Sequence, residues 1–351
     1  MVKQEAPEQA IDYPSVRLWS GIVSIGWNLA LVWGFWWWVR GQEFAFRVPE
    51  PWEAGAGIAL FFVGLGLVNL PLDWVTGYWL EKVAGRSTPS LGGWWLNAIS
   101  GFFKMLLLQI LGGILFAAWL FNYPGSPVVL VLIPGIYVGL RIWQFHWIPT
   151  RLRQPAQFPE GYRAELEAEL KRIDCPWPDD LFLYRAEEDS LINGGRVGMG
   201  DHQRLMISDA CVKHLHPREL ALLIKREERF QMMNGSMRNL DLSLVWVFFG
   251  VLLVLFWLGW ENISGWEAFF AMVAGMTTWH WVGLFVLPTL ARREILAMDR
   301  WIMRNGSSRE EWGALLRKLQ KQNQTDEELG PWVERVFHPI PSLKTRLENL
   351  K

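Results

Sequence analysis

The residues whose types and spacing point to chemistry lie in one helical run, PRELALLIKREERFQMM (217–233). Pro217 suits a first helical turn, Glu219 suits its positive end, and Gly235 suits the stop. Leu220, Leu223 and Ile224 define a buried stripe. Continuing it by three and four residues brings Arg226, Glu227 and Phe230 onto or beside the same face. Charges aimed at a core are costly unless paired. A carboxylate and a guanidinium set side by side on such a face suit either proton transfer or an internal ion pair. The bland counterpart is a solvated helix face studded with charges.

Other chemistry-bearing residues are sparse. None of the six histidines is four residues from another, so no H-x-x-x-H metal pair exists. His214 and His216 flank the start of the helix, where alternate residues before a proline read as a turn rather than as ligands. Cys175 and Cys211 fit no C-x-x-C spacing and no disulfide framework, and read as reduced thiols. Gly194, Gly195, Gly198 and Gly200 suggest a phosphate loop, but the Lys-Ser/Thr of a Walker loop is missing. A strand and turn is the reading there.

The elements that must position these residues are mostly membrane helices. The chain has 351 residues, 51% of them apolar and 20% charged, with 24 Trp and a net charge of -1; its mean hydropathy is +0.12. Such a balance excludes a disordered chain and offers no basic field to nucleic acid. Trp concentrates at membrane–water interfaces, where its ring system meets hydrocarbon and its N–H meets water. Crossing hydrocarbon takes about 20 apolar residues. Six stretches qualify: 18–39, 54–72, 105–121, 128–140, 242–260 and 268–290, the fourth being the weakest. Trp36, Trp37 and Trp38 beside Arg40 read as an interfacial anchor.

Lys/Arg bias sets orientation. With the N-terminus in the cytoplasm, the inside flanks carry Lys3, Arg17, Lys82, Arg86, Arg151, Arg153, Arg292 and Arg293. The outside loops then carry only Arg40 and Arg47. The acidic residues before the first span, and the lack of an A-x-A site after it, argue against a removable signal peptide. Asp73, Lys104, Arg141 and His146 lie in or near spans, where charge is costly. They read as a polar cavity, which would suit a channel or transporter, or as snorkelling and internally paired groups. In the polar region, 159–174 reads as an amphipathic helix, while 181–184 and 204–207 read as short strands.

Several blocks together resemble the CAAX prenyl protease 1 family and its HtpX relatives, integral-membrane zinc metallopeptidases. ELALLIKREERFQMMNG is similar to their active-site helix, which carries H-E-x-x-H. LPLDWVTGYWLEKVAGRSTPSL (70–91) resembles a block of their N-terminal membrane domain. SLINGGRVGMGDHQRLMISDACVK (190–213), ARREILAMDRW (291–301) and FHPIPSLKTRLENL (337–350) resemble later motifs, in the family's order. The resemblance covers nearly the whole chain.

It implies a mainly α integral membrane protein: about six transmembrane helices with a small α/β cytoplasmic gluzincin-like metallopeptidase domain. The implied layout is a four-span membrane domain (1–150), a first peptidase-like part (151–240), a transmembrane hairpin (241–290) and a second peptidase-like part (291–351). In the family, two histidines one turn apart and a later Glu bind zinc, and a Glu beside the first histidine activates water. The matching positions here are Arg226 and Phe230 for the histidines and Ile295 for the metal-binding Glu. Glu227 matches the general base, Asp299 the Asp of the second motif and His338 the closing motif. The segment holding Asn193, Gly198 and Gly200 matches the substrate strand.

The expectation is therefore a pseudopeptidase with no zinc and no other cofactor. It would act as scaffold, adaptor or substrate-binding subunit beside the lipid bilayer, a membrane-protein partner or a peptide client, without nucleic acid. The alternative is an active endopeptidase of the same type with unconventional metal ligation or a metal-free route through Glu227. Arg226 is expected to sit on Glu227, Glu228 or Asp299 and to tie the two motif helices together, as metal does in the family.

Overall fold

The computed structural model describes residues 13–46, 49–83, 90–123, 126–142, 154–185, 192–198, 203–259, 265–323, 325 and 327–350. The chain divides into two compact units, one formed by 1–136 with 247–281 and the other by 137–246 with 282–351.

The first unit is helical. Its elements are α1 (Tyr13–Arg40), α2 (Pro51–Trp74), α3 (Leu80–Val83) and α4 (Leu91–Asn122), together with much of α5 (Val129–Ile142) and the apolar parts of two later helices. A π-helical turn, Val75–Trp79, joins α2 to α3 without a break. Four helices are long and apolar enough to cross a membrane: Ser15–Arg40, Trp52–Val83, Gly235–Leu258 and Gly265–Asn305. The third and fourth expected spans fall on α4 and α5. The 14 residues of α5 reach only about 21 Å at the helical rise, short of roughly 30 Å of hydrocarbon. The chain is an integral membrane protein by these helices; six crossings are not established by them.

Within this unit the helices approach through glycine and aromatic contacts. A Cβ on Gly113 would lie 2.7 Å from the Ile58 side chain, so α4 meets α2 only because that position is glycine. Phe35, Phe61 and Phe270 form a ring cluster with centroids 4.7–5.1 Å apart. Polar ties are few: Trp33 Nε1 donates to Thr278 Oγ1 at 2.8 Å, and Asn69 Nδ2 to Asn28 Oδ1 at 2.8 Å. The tryptophans divide between two roles. Trp37 is 72% exposed while its neighbour Trp36 is 6% exposed and packs on Trp33 and Trp257. One residue turns about 100° around a helix, so the Trp triplet is part anchor and part core.

The second unit holds the sheet. Strands β1 (Leu181–Tyr184), β2 (Gly194–Val197) and β3 (Arg204–Ser208) lie in the order β1-β3-β2, with β1 parallel and β2 antiparallel to the central β3. Helix α6 (Tyr162–Arg172) packs beside the motif helix α8 (Pro217–Met232), and the short α7 (Asp209–His214) links β3 to it. Helix α9 (Gly235–Leu258) and the 41-residue α10 (Gly265–Asn305) follow, then α11 (Arg309–Asn323), α12 (Pro331–Phe337) and α13 (Leu343–Asn349). Leu166, Leu170, Leu205, Leu220, Ile224, Ile302, Trp312 and Leu315 form one apolar core from five of these elements.

Candidate functional site

Helix α8 begins as its sequence dictates. Pro217 occupies the first turn, and the Glu219 carboxylate reaches back to accept the His216 N–H at 2.8 Å. His216 is thus an exposed N-cap residue, and His214 lies at the end of α7, also exposed. The stop differs from the expectation. Asn234, not Gly235, takes the left-handed conformation (φ 49), and Gly235 opens the next helix. The reason is the Phe230 ring, which lies so close that a Cβ on Gly235 would collide with it.

The buried face also differs. Leu220, Ala221, Leu222, Ile224 and Lys225 are all buried, whereas Arg226, Glu227 and Phe230 are only partly so. Lys225 continues the core because its ammonium has a seat. It donates to the carbonyl of Ile173, the C-cap of α6, and at 2.5 Å to that of Asn305, the last residue of α10. It also lies 5.8 Å from the centroid of the Trp301 ring. Two helix C-termini and a ring face offer three sources of negative potential to one cation.

Arg226 Nη1 meets Glu227 Oε1 at 3.0 Å. Both residues belong to α8, so this pair does not tie the two motif helices. Glu228 instead receives Arg196 of β2, whose side chain is 1% exposed and also grips Asp180. Asp299 of α10, 0% exposed, is held by Arg346 of α13 through two bonds of 2.7 Å. Among the described residues, α8 is tied to α10 by Lys225 and by Arg229, 5.3 Å over Trp301, and to the segment after α10 and to α11 by Arg218. Arg218 donates to the Gly306 carbonyl at 2.7 Å and to Glu311 at 2.7 Å. That guanidinium lowers the Glu311 carboxyl below its ordinary value, and Glu311 raises Arg218 in return. Long cations reaching carbonyls and distant acids carry no local spacing signal. Sequence reasoning passed over Arg196, Lys225 and Arg346 for that reason.

The remaining predicted residues fall as follows. Ile295 is half-buried on α10, one turn before Asp299. The His338 carbonyl accepts Arg292 Nη1 at 2.9 Å, which fixes the closing segment to α10. Asn193 exchanges bonds with Ser208, its N–H donating to Oγ at 3.2 Å and its carbonyl accepting the Ser208 N–H at 2.9 Å. Gly198 follows β2 with φ 101, while Gly200 lies outside the described residues. A Cβ on Gly195 would sit 3.8 Å from Glu227 Oε2. Strand β2, at the sheet edge, therefore runs directly beside the Glu227 carboxylate.

Cys175 and Cys211 are free and buried; burial pushes the Cys175 thiol up to about 11 and raises Cys211 as well. Neither is a reactive thiolate at neutral pH. Of the intramembrane charges, Asp73 lies on α2, Lys104 on α4, and Arg141 on α5 over the Tyr137 ring at 5.8 Å; His146 lies outside the described residues. Among the described residues, no three His, Cys, Asp or Glu side chains gather as a metal-holding group.

No family model matches the chain, and no curated protein matches it. Among solved structures, Ste24p of S. mikatae is similar over 84% of this chain and 74% of its own, with a TM-score of 0.67 and 17% identity. The fold is that of Ste24p. Helices α8 and α10 and the small sheet thus belong to the fold seen in Ste24p, mainly helical, with at least four membrane-length helices among the described residues.

Proposed function

We propose that this chain is a catalytically inactive membrane metallopeptidase homologue that binds peptide or protein clients as a scaffold, adaptor or subunit. The motif resemblance to the CAAX prenyl protease 1 family and the fold shared with Ste24p support a metallopeptidase-like ancestry. The observation that carries the loss of activity is the Arg226–Glu227 pair at 3.0 Å. It occupies the positions that the resemblance matches to the first zinc-binding histidine and the general base.

The donor set at the three matched positions does not fit zinc. Arg226 carries no lone pair to give, and Phe230 and Ile295 carry no donor atom. A guanidinium about 4 Å from a dication costs roughly 8 kcal/mol at an effective dielectric of 20, which offsets much of the ~10–16 kcal/mol of structural zinc binding. The Arg226 guanidinium also engages the carboxylate that would otherwise accept a proton from water. What stays suited to function is the edge strand β2 beside α8, able to add an extended peptide as a further strand. Lys/Arg bias of the loops supports a cytoplasmic N-terminus and a cytoplasmic peptidase-like region.

The test is metal content by mass spectrometry of the full chain purified in detergent, compared with an Arg226→His, Phe230→His, Ile295→Glu variant. The expected result is no stoichiometric zinc in the native chain and zinc gained by the variant. Stoichiometric zinc in the native chain overturns the reading. The second reading, an active endopeptidase, rests on the nearness of Glu227 to Gly195 of the edge strand. Under it, Glu227→Gln abolishes peptide hydrolysis; under ours, native and variant chains are equally without it.

A further inference from the structure

Beside α8, on the side of α10 away from Asp299, a cavity of about 470 Å³ is lined by Arg229, Arg238, Arg293, Arg300 and Arg304, with Glu294 as its one acid. Apolar surface comes from Phe230, Met233, Met298 and Trp301. The charges within it are unevenly matched. Arg238 meets Glu294 at 2.8 Å, and Arg300 donates to the neutral Asn349 amide at 2.7 Å. Arg229 lies over Trp301, and its buried Nε has no hydrogen-bond partner. Arg293 and Arg304 are exposed and make no ion pair or hydrogen bond to a described residue. Five guanidinium groups around one carboxylate repel one another, and an anion with several acceptor oxygens relieves that repulsion.

We infer that this cavity binds the phosphate group of an anionic glycerophospholipid. The choice of a lipid over a soluble phosphate rests on position. Arg238 is four residues before Leu242, where the apolar run of α9 begins, and Arg293 is three after Leu290, where that of α10 ends. At the helical rise, both guanidinium-bearing residues lie within about 6 Å, along their helices, of the edge of the apolar run. Headgroup phosphates lie at that boundary, and basic pockets between membrane helices are known to take them. Phe230, Met233 and Trp301 then provide an apolar wall for the glycerol and upper acyl chain, while the arginines hold the phosphate oxygens bidentately. Phe230, one of the positions matched to a zinc ligand, lies in the apolar wall, whereas none of the five arginines is such a position.

The test uses the full chain reconstituted in vesicles of phosphatidylcholine, or of phosphatidylcholine and phosphatidylglycerol in roughly equal amounts. Lipid retained through detergent extraction is counted by native mass spectrometry. Arg293→Gln with Arg304→Gln is the site variant, chosen because both side chains are exposed and neither makes an ion pair or hydrogen bond to a described residue. Arg309→Gln with Arg317→Gln removes equal charge elsewhere. The expected result is selective retention of phosphatidylglycerol by the native chain. At about fivefold per arginine, the site variant weakens it by roughly thirtyfold, with the control unchanged. Equal loss in both double variants, or no preference for the anionic lipid, overturns the inference. Thermal stabilisation of lipid-free protein by inorganic phosphate that matches phosphatidylglycerol would assign the site to a soluble phosphate and overturn the lipid.

Discussion

Two sets of cations in the second unit differ in what surrounds them. Arg196, Arg218, Lys225 and Arg346 each converge on two or more acceptors drawn from other elements, and each joins pieces of chain far apart in sequence. Arg293 and Arg304, both on α10, have no such partner among the described residues, and Arg229 has only a ring face and an unsatisfied Nε. The first set welds the sheet, α6, α8, α10, α11 and α13. The second gathers around a cavity. Positive charge alone therefore says little about role; the fate of its donors separates a structural cation from one left open to a ligand.

That contrast breaks most directly at Arg346. Arg346→Ala leaves Asp299 fully buried without its bidentate partner, and such one-sided removal costs about 3–5 kcal/mol. Thermal unfolding in detergent should record it, and a change within error would mean that Asp299 is solvated or protonated at little cost. Lys225→Met keeps most of the stem but leaves two carbonyls without their donor, for an expected loss of about 2–4 kcal/mol. If Lys225→Met were neutral or stabilising, the ammonium would not be a tie between α6, α8 and α10.

A smaller, pH-dependent effect belongs to Arg218 and Glu311. The folded Glu311 carboxyl lies below its ordinary value of 4.5 because Arg218 faces it. Its contribution to stability is therefore complete above that ordinary value and is lost as pH falls through the lowered folded one. Melting temperature followed into the acid range should fall less steeply in Glu311→Gln than in the native chain; parallel curves would refute the linkage. Smallest of all, Arg293→Gln and Arg304→Gln should each leave the melting temperature of lipid-free protein nearly unchanged, within about 0.5 kcal/mol. A large loss from either would move that residue into the structural set.

Much of the fold was legible because periodicity and composition record it locally. The amphipathic helix expected at 159–174 is α6, the strands expected at 181–184 and 204–207 are β1 and β3, and the hairpin 242–290 lies on α9 and α10. Helix α8 was legible to within a residue at its C-terminus, yet its burial was not. Amphipathic reasoning places Arg226 and Glu227 on or beside the core face and passes over Lys225. The structure buries Lys225 and leaves the other two half-buried, because two helix C-termini, remote in sequence, converge on the Lys225 ammonium. The boundary at Gly235 was misread for a related reason: a stop signal and a close-approach glycine look the same until the Phe230 ring is in place.

By itself the sequence determined that the chain carries membrane-length apolar helices, where several of its helices and strands lie, and which of its blocks resemble motifs of the CAAX prenyl protease 1 family. These follow from residue type and local spacing, which need no tertiary contact to read. Only the tertiary structure decided that Arg226 pairs within its own helix, that Asp299 belongs to Arg346, and that five arginines surround one cavity. Ion pairs and cavities are set by which distant segments meet, and the long side chains of Arg and Lys can reach several acceptors. Packing chooses among them, and no spacing in the chain encodes that choice.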